Sequence, residues 1–264
     1  MTNSLLAKFE GVNGGVVAVD LPVGATHAIF KGENQLIVDN TAIVAIPLDQ
    51  EPGQPYLRVL LSGNLATDIH FTVNAKKYPE QHITISDEKM VTPPEEVLER
   101  IGRESARMKE AYALRTRQQP DLFPILIPVS GPVSGVFGSR RVFNGKPRNP
   151  HSGIDYAADE GTPIVAPAPG TVALTGDLYF NGNTVVIDHG GGFVSVMCHL
   201  HEVFVEVNQQ LKRGDTIGTV GSTGRSTGPH LHWTISLQGT KVDPAVFMDV
   251  TNQLAKKGKD KKQE

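Results

Sequence analysis

No apolar run in this chain of 264 residues is longer than a short strand, and the runs are broken by glycine, proline or charged side chains. A bilayer-spanning helix needs roughly 18 consecutive apolar residues, so a membrane span is excluded. Gly and Pro number 27 and 18, enough to punctuate many short strands yet below the level that marks low-complexity disorder. A chain of this length can bury a real core in one large or two ordinary domains, and the punctuation makes it a mainly β one.

Residues 16–19, 42–46, 56–61, 69–73 and 83–85 are apolar and rich in β-branched side chains. Turn residues such as Asn13-Gly14, Pro52-Gly53 and Gly63-Asn64 separate them. This predicts an immunoglobulin-like β-sandwich over residues 1–90. The period then changes. Thr92 is placed to cap a helix opened by Pro93, Pro94, Glu95 and Glu96, with Val97, Ile101, Met108 and Tyr112 at helical spacing. Arg115 and Arg117 suit its C-terminal end and Pro120 stops it, which makes residues 91–120 a helical linker of about five to six turns. Strands return over 121–250, including a hairpin from 184–188 through Gly190, Gly191 and Gly192 to 193–200. Residues 251–264, which include five lysines from Lys256 onward, read as a charged, disordered tail.

With 25 basic and 28 acidic side chains the formal net charge is -3, so no nucleic acid is expected as a partner. Cys198 is the only cysteine, so no disulfide framework can be drawn. The first ten residues lack the basic start and apolar stretch of an export signal.

Histidine is concentrated. Of nine, six fall within 151–232: His151, His189, His199, His201, His230 and His232. His151 and Asp155 form an H-x-x-x-D pair containing Gly153. His230 and His232 form an H-x-H pair opening a β run, where residues i and i+2 share one face and Leu231 points to the core. By the same alternation His199 lies on the face of Ser195 and Met197, opposite Val194, Val196 and Cys198. Together these motifs point to a metal site of imidazole and carboxylate ligands. Asp155 as a plain turn residue is the simpler alternative. His189 is read as bonding its own turn, His201 as a surface residue and Cys198 as a small buried group.

Residues 133–244 resemble the lysostaphin and LytM type of zinc metallopeptidases, the twenty-third metallopeptidase family, which cut peptidoglycan cross-links. The matching pieces are Gly-Val-Phe-Gly-Ser-Arg at 135–140, His-Ser-Gly-Ile-Asp at 151–155, Gly-Thr-Pro-Ile-Val-Ala at 161–166, Gly-Thr-Val at 170–172, Gly-Thr-Val-Gly-Ser-Thr-Gly at 218–224, Gly-Pro-His-Leu-His at 228–232 and Val-Asp-Pro at 242–244. The front half, with Tyr78-Pro79-Glu80-Gln81 before a charged helix, is similar in layout to exported Gram-negative members. The resemblance implies an antiparallel β metallopeptidase domain with a substrate groove. It implies one zinc per chain on His151, Asp155 and His232, and His199 and His230 as a non-ligating catalytic pair. It also implies peptide cross-links as substrate, peptidoglycan stem peptides as partner, attack by zinc-bound water, and a periplasmic or cell-envelope location with a signal or anchor encoded ahead of this sequence. Met197 departs from the family, which usually has Tyr there. The oligomeric state and the cross-link cut, D-Ala to diaminopimelate or a glycine bridge, stay open.

Three lesser readings accompany this one. A non-catalytic cell-wall-binding activator would not need all five catalytic positions filled. A cytosolic carrier with a phosphorylated His on a similar scaffold would not need His151 and Asp155 as a pair. The loop carrying Arg140, Arg141, Lys146 and Arg148 is either solvated or a cationic rim for stem-peptide carboxylates. The β domain and helix, which carry no catalytic motif, either limit access to the groove or serve structural placement.

Overall fold

All five residues of the strand Thr41–Ala45 are buried, which an antiparallel strand achieves only when both its faces are covered. The computed structural model, which describes residues 9–260, shows what covers them. Ala42 and Val44 point with Val17 and Val19 into the core of an N-terminal sandwich. Ile43 and Ala45 point with Val16 and Leu36 into the core of the C-terminal domain.

The sandwich consists of two antiparallel sheets. One runs in the order Val16–Asp20, Thr41–Ala45, Leu36–Val38, and the other in the order Glu33–Asn34, Ala25–Phe30, Tyr56–Leu61, Leu65–His70. Phe30, Leu57, Val59 and Phe71 fill the space between them. The two domains are joined by more than apolar contact. Lys76 Nζ meets the buried Asp243 carboxylate at 2.6 Å, and the strand Glu80–Ile83 pairs in parallel with Arg140–Phe143. Residues 140–148, expected as a loop, are thus part of a small sheet in which Arg140–Phe143 also turns back on Lys146–Pro147.

The C-terminal domain is a ten-stranded, largely antiparallel sheet. Its centre runs Ile154–Ala157, His230–Leu237, Phe193–Val203, Gly182–Gly190, Gly170–Leu178. The hairpin through the three glycines is present, with φ of 93°, 57° and 81° at Gly190, Gly191 and Gly192. One face of the sheet carries the main core around Trp233, Phe193 and Met197. Met197, where the resemblance places Tyr, is fully buried there and is a packing residue. The other face is covered at one end by the helix α1 (Glu95–Tyr112), whose Met108 and Ala111 lie on Leu174, Leu178, Val186, Val194, Val196 and Cys198.

Helix α1 differs from expectation at both ends. Pro94, extended at φ -70° and ψ 158°, occupies the N-cap position, and the Thr92 hydroxyl instead meets Lys146 Nζ at 2.6 Å. At the other end the helix stops at Tyr112, short of Arg115, Arg117 and Pro120. Residues 251–260, expected as a disordered tail, belong to a second helix, α2 (Pro244–Asp260). Residues 261–264 lie outside the described residues. Phe247 is fully buried against Phe193, with ring centroids 5.1 Å apart, Leu254 packs on the same core, and Lys257 pairs with Asp20 at 2.8 Å. Burying one such aromatic contributes about 1.5–3 kcal/mol, which outweighs the few tenths lost per like-charged lysine pair. Among the described residues no helix is long and apolar enough to cross a membrane.

His189 is wholly buried and bonds not its own turn but Pro169 O at 2.8 Å and Ser195 Oγ at 2.9 Å. Burial pushes its pKa down to about 4. The unfolded chain takes up this proton near pH 6.5 and the native one does not, so stability falls as pH drops between the two values. Urea unfolding should lose on the order of 3 kcal/mol from this side chain between pH 7 and pH 4. His189→Asn should flatten that slope, and an unchanged slope would contradict the assignment.

Candidate metal centre

Asp155 and His232 stand directly opposite each other on neighbouring antiparallel strands, so their side chains share a face. Leu231 between the two histidines is fully buried, and the alternation turns His230 to the same side as His232. His151 approaches from outside the strand, anchored by its backbone N–H to Ser139 O at 2.9 Å. Its Nδ1–H donates to Val136 O at 2.9 Å, which leaves the Nε2 lone pair facing Asp155 Oδ1 at 3.0 Å and His232 Nδ1 at 2.9 Å. His232 Nδ1 lies 2.7 Å from the same Asp155 oxygen, while its Nε2 meets Thr234 Oγ1 at 2.9 Å.

These three side chains form a metal-binding group whose ligand atoms all lie within 4.8 Å of one another. The fit is chemical as well as geometric. Each imidazole has its outer nitrogen engaged, so the inner one can offer a lone pair. Tetrahedral ligands on bonds of ~2.0–2.1 Å sit roughly 3.3 Å apart, a few tenths wider than these separations. Burial disfavours the Asp155 carboxylate, yet the His151 and His232 imidazoles packed against it hold its pKa well below the usual range. Arg141 donates to its second oxygen at 2.8 Å. The sequence suggested a rim role for Arg141; its contact with a ligand 14 residues away has no local signature. Burial likewise pushes the His232 imidazole down to about 4, against the pull of Asp155.

His199 departs from simple alternation. Between the pairs Asn183↔Leu200 and Val185↔Met197 the Phe193–Val203 strand carries one residue more than its partner, and His199 has φ 67°. This bulge turns His199 off the core face expected for it and passes that face to Leu200. Cys198, directly opposite His232, shares the site's side of the sheet, so His199 and Cys198 are not on opposite faces. The His199 ring lies 4.8 Å from that of His230 and 6.1 Å from that of His232. Its Nδ1–H donates to Thr223 O at 2.8 Å, and that of His230 to Gly228 O at 2.8 Å, so both present an unprotonated Nε2. Burial, then the neighbouring imidazoles, push His199 down to about 3. His201 is exposed, 3.7 Å from Glu160.

A cleft of ≈ 1060 Å³ contains His151, His199 and His232, and α1 forms one wall through Ile101, Glu104, Ser105 and Met108. The helix is pinned by Arg100 to the Asp177 carboxylate at 3.1 Å and by Glu104 to the Tyr179 backbone N–H at 2.7 Å.

A solved Pseudomonas aeruginosa structure named as a candidate M23 peptidase is 38% identical, covers 90% of this chain and 94% of its own, and superposes with a TM-score of 0.73. The chain belongs to peptidase family M23. The family's catalytic model matches residues 149–244 and the model of its N-terminal domain residues 10–76. Among curated relatives, the DD-carboxypeptidase/endopeptidase Mpg of Neisseria meningitidis is 41% identical over 109 residues, 41% of this chain and 25% of that protein. The peptidoglycan DD-endopeptidase ShyA of Vibrio cholerae is 40% identical over 94 residues, 36% of this chain and 22% of that protein. The matched region thus spans about a quarter of the length of these relatives.

Gly135, in the first family motif, has a role the sequence did not reveal. A Cβ there would stand 2.3 Å from Asp155 Oδ2. Gly135→Ala should therefore displace a ligand without removing one and weaken metal binding about 10–100-fold. Competition against a chromophoric chelator measures this, and wild-type affinity in the folded variant would contradict it.

Proposed function

We propose that this chain is a zinc-dependent endopeptidase that hydrolyses D,D peptide cross-links of bacterial peptidoglycan in the cell envelope. The observation that carries the reading is the convergence of His151, Asp155 and His232 at a cleft lined by His151, His199 and His232, with the ring of His230 beside that of His199. Three family ligands on two imidazoles and a carboxylate suit zinc. The names of the Neisseria and Vibrio relatives support the substrate and the bond.

Held by those three side chains, zinc would supply Lewis acidity that activates a water and stabilises charge on a peptide carbonyl oxygen. The remaining work falls to the chain. His199 and His230 are held with Nδ1–H on backbone carbonyls, which leaves each Nε2 clear of the backbone. One accepts the proton released as a water adds to the peptide carbonyl, meets the developing oxyanion as the imidazolium so formed, and passes the proton to the leaving amine as the C–N bond breaks, while the other holds the substrate carbonyl in place beside it. His230 Nε2 lies 4.0 Å from Asp155 Oδ1, which sets the ring beside the carboxylate that would hold the metal. Arg141 fixes the Asp155 carboxylate through its other oxygen.

Zinc content and digestion of purified cross-linked muropeptides, followed by mass spectrometry, test the assignment together. His151→Ala, Asp155→Ala and His232→Ala should purify with little zinc. His199→Ala and His230→Ala should keep it and lose ~10²–10⁴-fold in rate. A folded His230→Ala protein empty of zinc, or an active His232→Ala protein, would overturn the roles. Residues 1–120, through α1, limit access to the cleft in this reading. Replacing Arg100 and Glu104 together by Ala releases the pins on the helix and should raise the cleavage rate. An unchanged rate would leave the helix a purely structural part.

A further inference from the structure

Two guanidinium groups stand in the metal-site cleft with no acidic partner among the described residues. Arg225 lies on the segment leading to His230, and Arg148 lies three residues before His151; both line the cleft with His151 and His199. The other cations expected to form a rim are already engaged: Arg141 with Asp155, Arg140 near Glu80 at 3.6 Å, and Lys146 with Glu88 at 3.1 Å. Among the described residues Arg148 and Arg225 bond only neutral carbonyls. Arg148 donates to Val91 O at 2.5 Å and Arg225 to Met90 O at 3.4 Å.

Both are half-buried. The Arg225 guanidinium is held over the rings of Phe180 at 4.3 Å and Phe143 at 4.8 Å, which fixes its plane. Burial pushes it down to about 10, and repulsion from Arg141 and Arg148 adds to this with no carboxylate opposing it. The Arg148 Nε–H is out of solvent and unpartnered. An unsatisfied donor and two like charges kept together are both costly, and an anion would relieve both. Charge-assisted hydrogen bonds are roughly twice as strong as neutral ones, so a carboxylate competes well against the Met90 and Val91 carbonyls.

We infer that Arg148 and Arg225 form a carboxylate subsite that docks a free carboxylate of the peptide substrate beside the scissile bond. The identity of the ligand as a wall peptide rests on the endopeptidase reading above. The planar fork of arginine suits a carboxylate held by two parallel bonds, and the position beside His151 sets the substrate's register along the cleft. The subsite therefore selects stem peptides whose carboxyl groups are free over those whose carboxyl groups are amidated.

Calorimetric titration of the full chain at low ionic strength, with a stem tetrapeptide bearing free carboxylates and with its carboxamide, tests this. The free acid should bind at least ~10-fold more tightly, as expected for a charged hydrogen bond. Arg148→Gln and Arg225→Gln should each reduce that preference towards unity. Because Arg225 also packs between two rings, Arg225→Lys serves as a second variant: it keeps the charge, loses the fork and should retain only part of the preference. Equal affinity of the wild type for both peptides, or a preference that survives both Gln substitutions, would overturn the subsite. Failure of the zinc-loaded chain to cleave any cross-linked muropeptide would overturn the endopeptidase reading instead, while the titration still judges the arginine pair.

Discussion

The buried Asp155 carboxylate is the constraint around which the catalytic domain is arranged. An ionised carboxylate taken out of water costs several kcal/mol unless charge and hydrogen bonds replace its hydration. Here Arg141 donates to one oxygen at 2.8 Å, and the His151 and His232 rings stand 2.7–3.0 Å from the other, around the place a cation would take. Each comes from a different part of the chain, and each must reach the same few cubic ångströms. The strand pairing of Asp155 with His232, the absence of a side chain at Gly135 and the hold of Val136 O on His151 are consequences of that need. With their outer nitrogens held by Val136 O and Thr234 Oγ1, the two imidazoles turn lone pairs towards that carboxylate, and converging lone pairs and negative charge are what a cation requires.

The second requirement is a support that does not yield. The site sits on a sheet whose one face is packed around Trp233, Phe193 and Met197, all fully buried. The N-terminal domain adds to that support through the doubly buried strand Thr41–Ala45 and the Lys76–Asp243 pair, so the two family domains share core and charge. Helix α1 is built in the same way, with Met108 and Ala111 on the sheet and Arg100 and Glu104 on its rim. Its position as a wall of the cleft follows from that packing and links the front half of the chain to the chemistry.

Charge around the cleft is graded by function. Arg141 is spent on the ligand carboxylate, whereas Arg148 and Arg225 are left facing neutral carbonyls. Burial disfavours the charged form of the His199 and His232 imidazoles at the centre.

Much of this was legible in the residues. Short β-branched runs closed by glycine and proline dictate a mainly β fold, because their length admits strands and little else. The H-x-H pair converges because a strand repeats every two residues, and H-x-x-x-D with its glycine sits in the same family frame; these are local relations that need no knowledge of distant contacts. What tertiary structure alone decided depends on partners far apart in sequence. His199 reaches the site only through a bulge with φ 67°, a conformation that a histidine does not announce and that pairing with the 182–190 strand imposes. Arg225 lines the same cleft as Arg148, 77 positions away, and is held there by Phe143 and Phe180 from two other strands or turns. Helix α2 continues into a lysine-rich stretch because Phe247 and Leu254 find a core to bury against, and composition by itself carries no information about that surface.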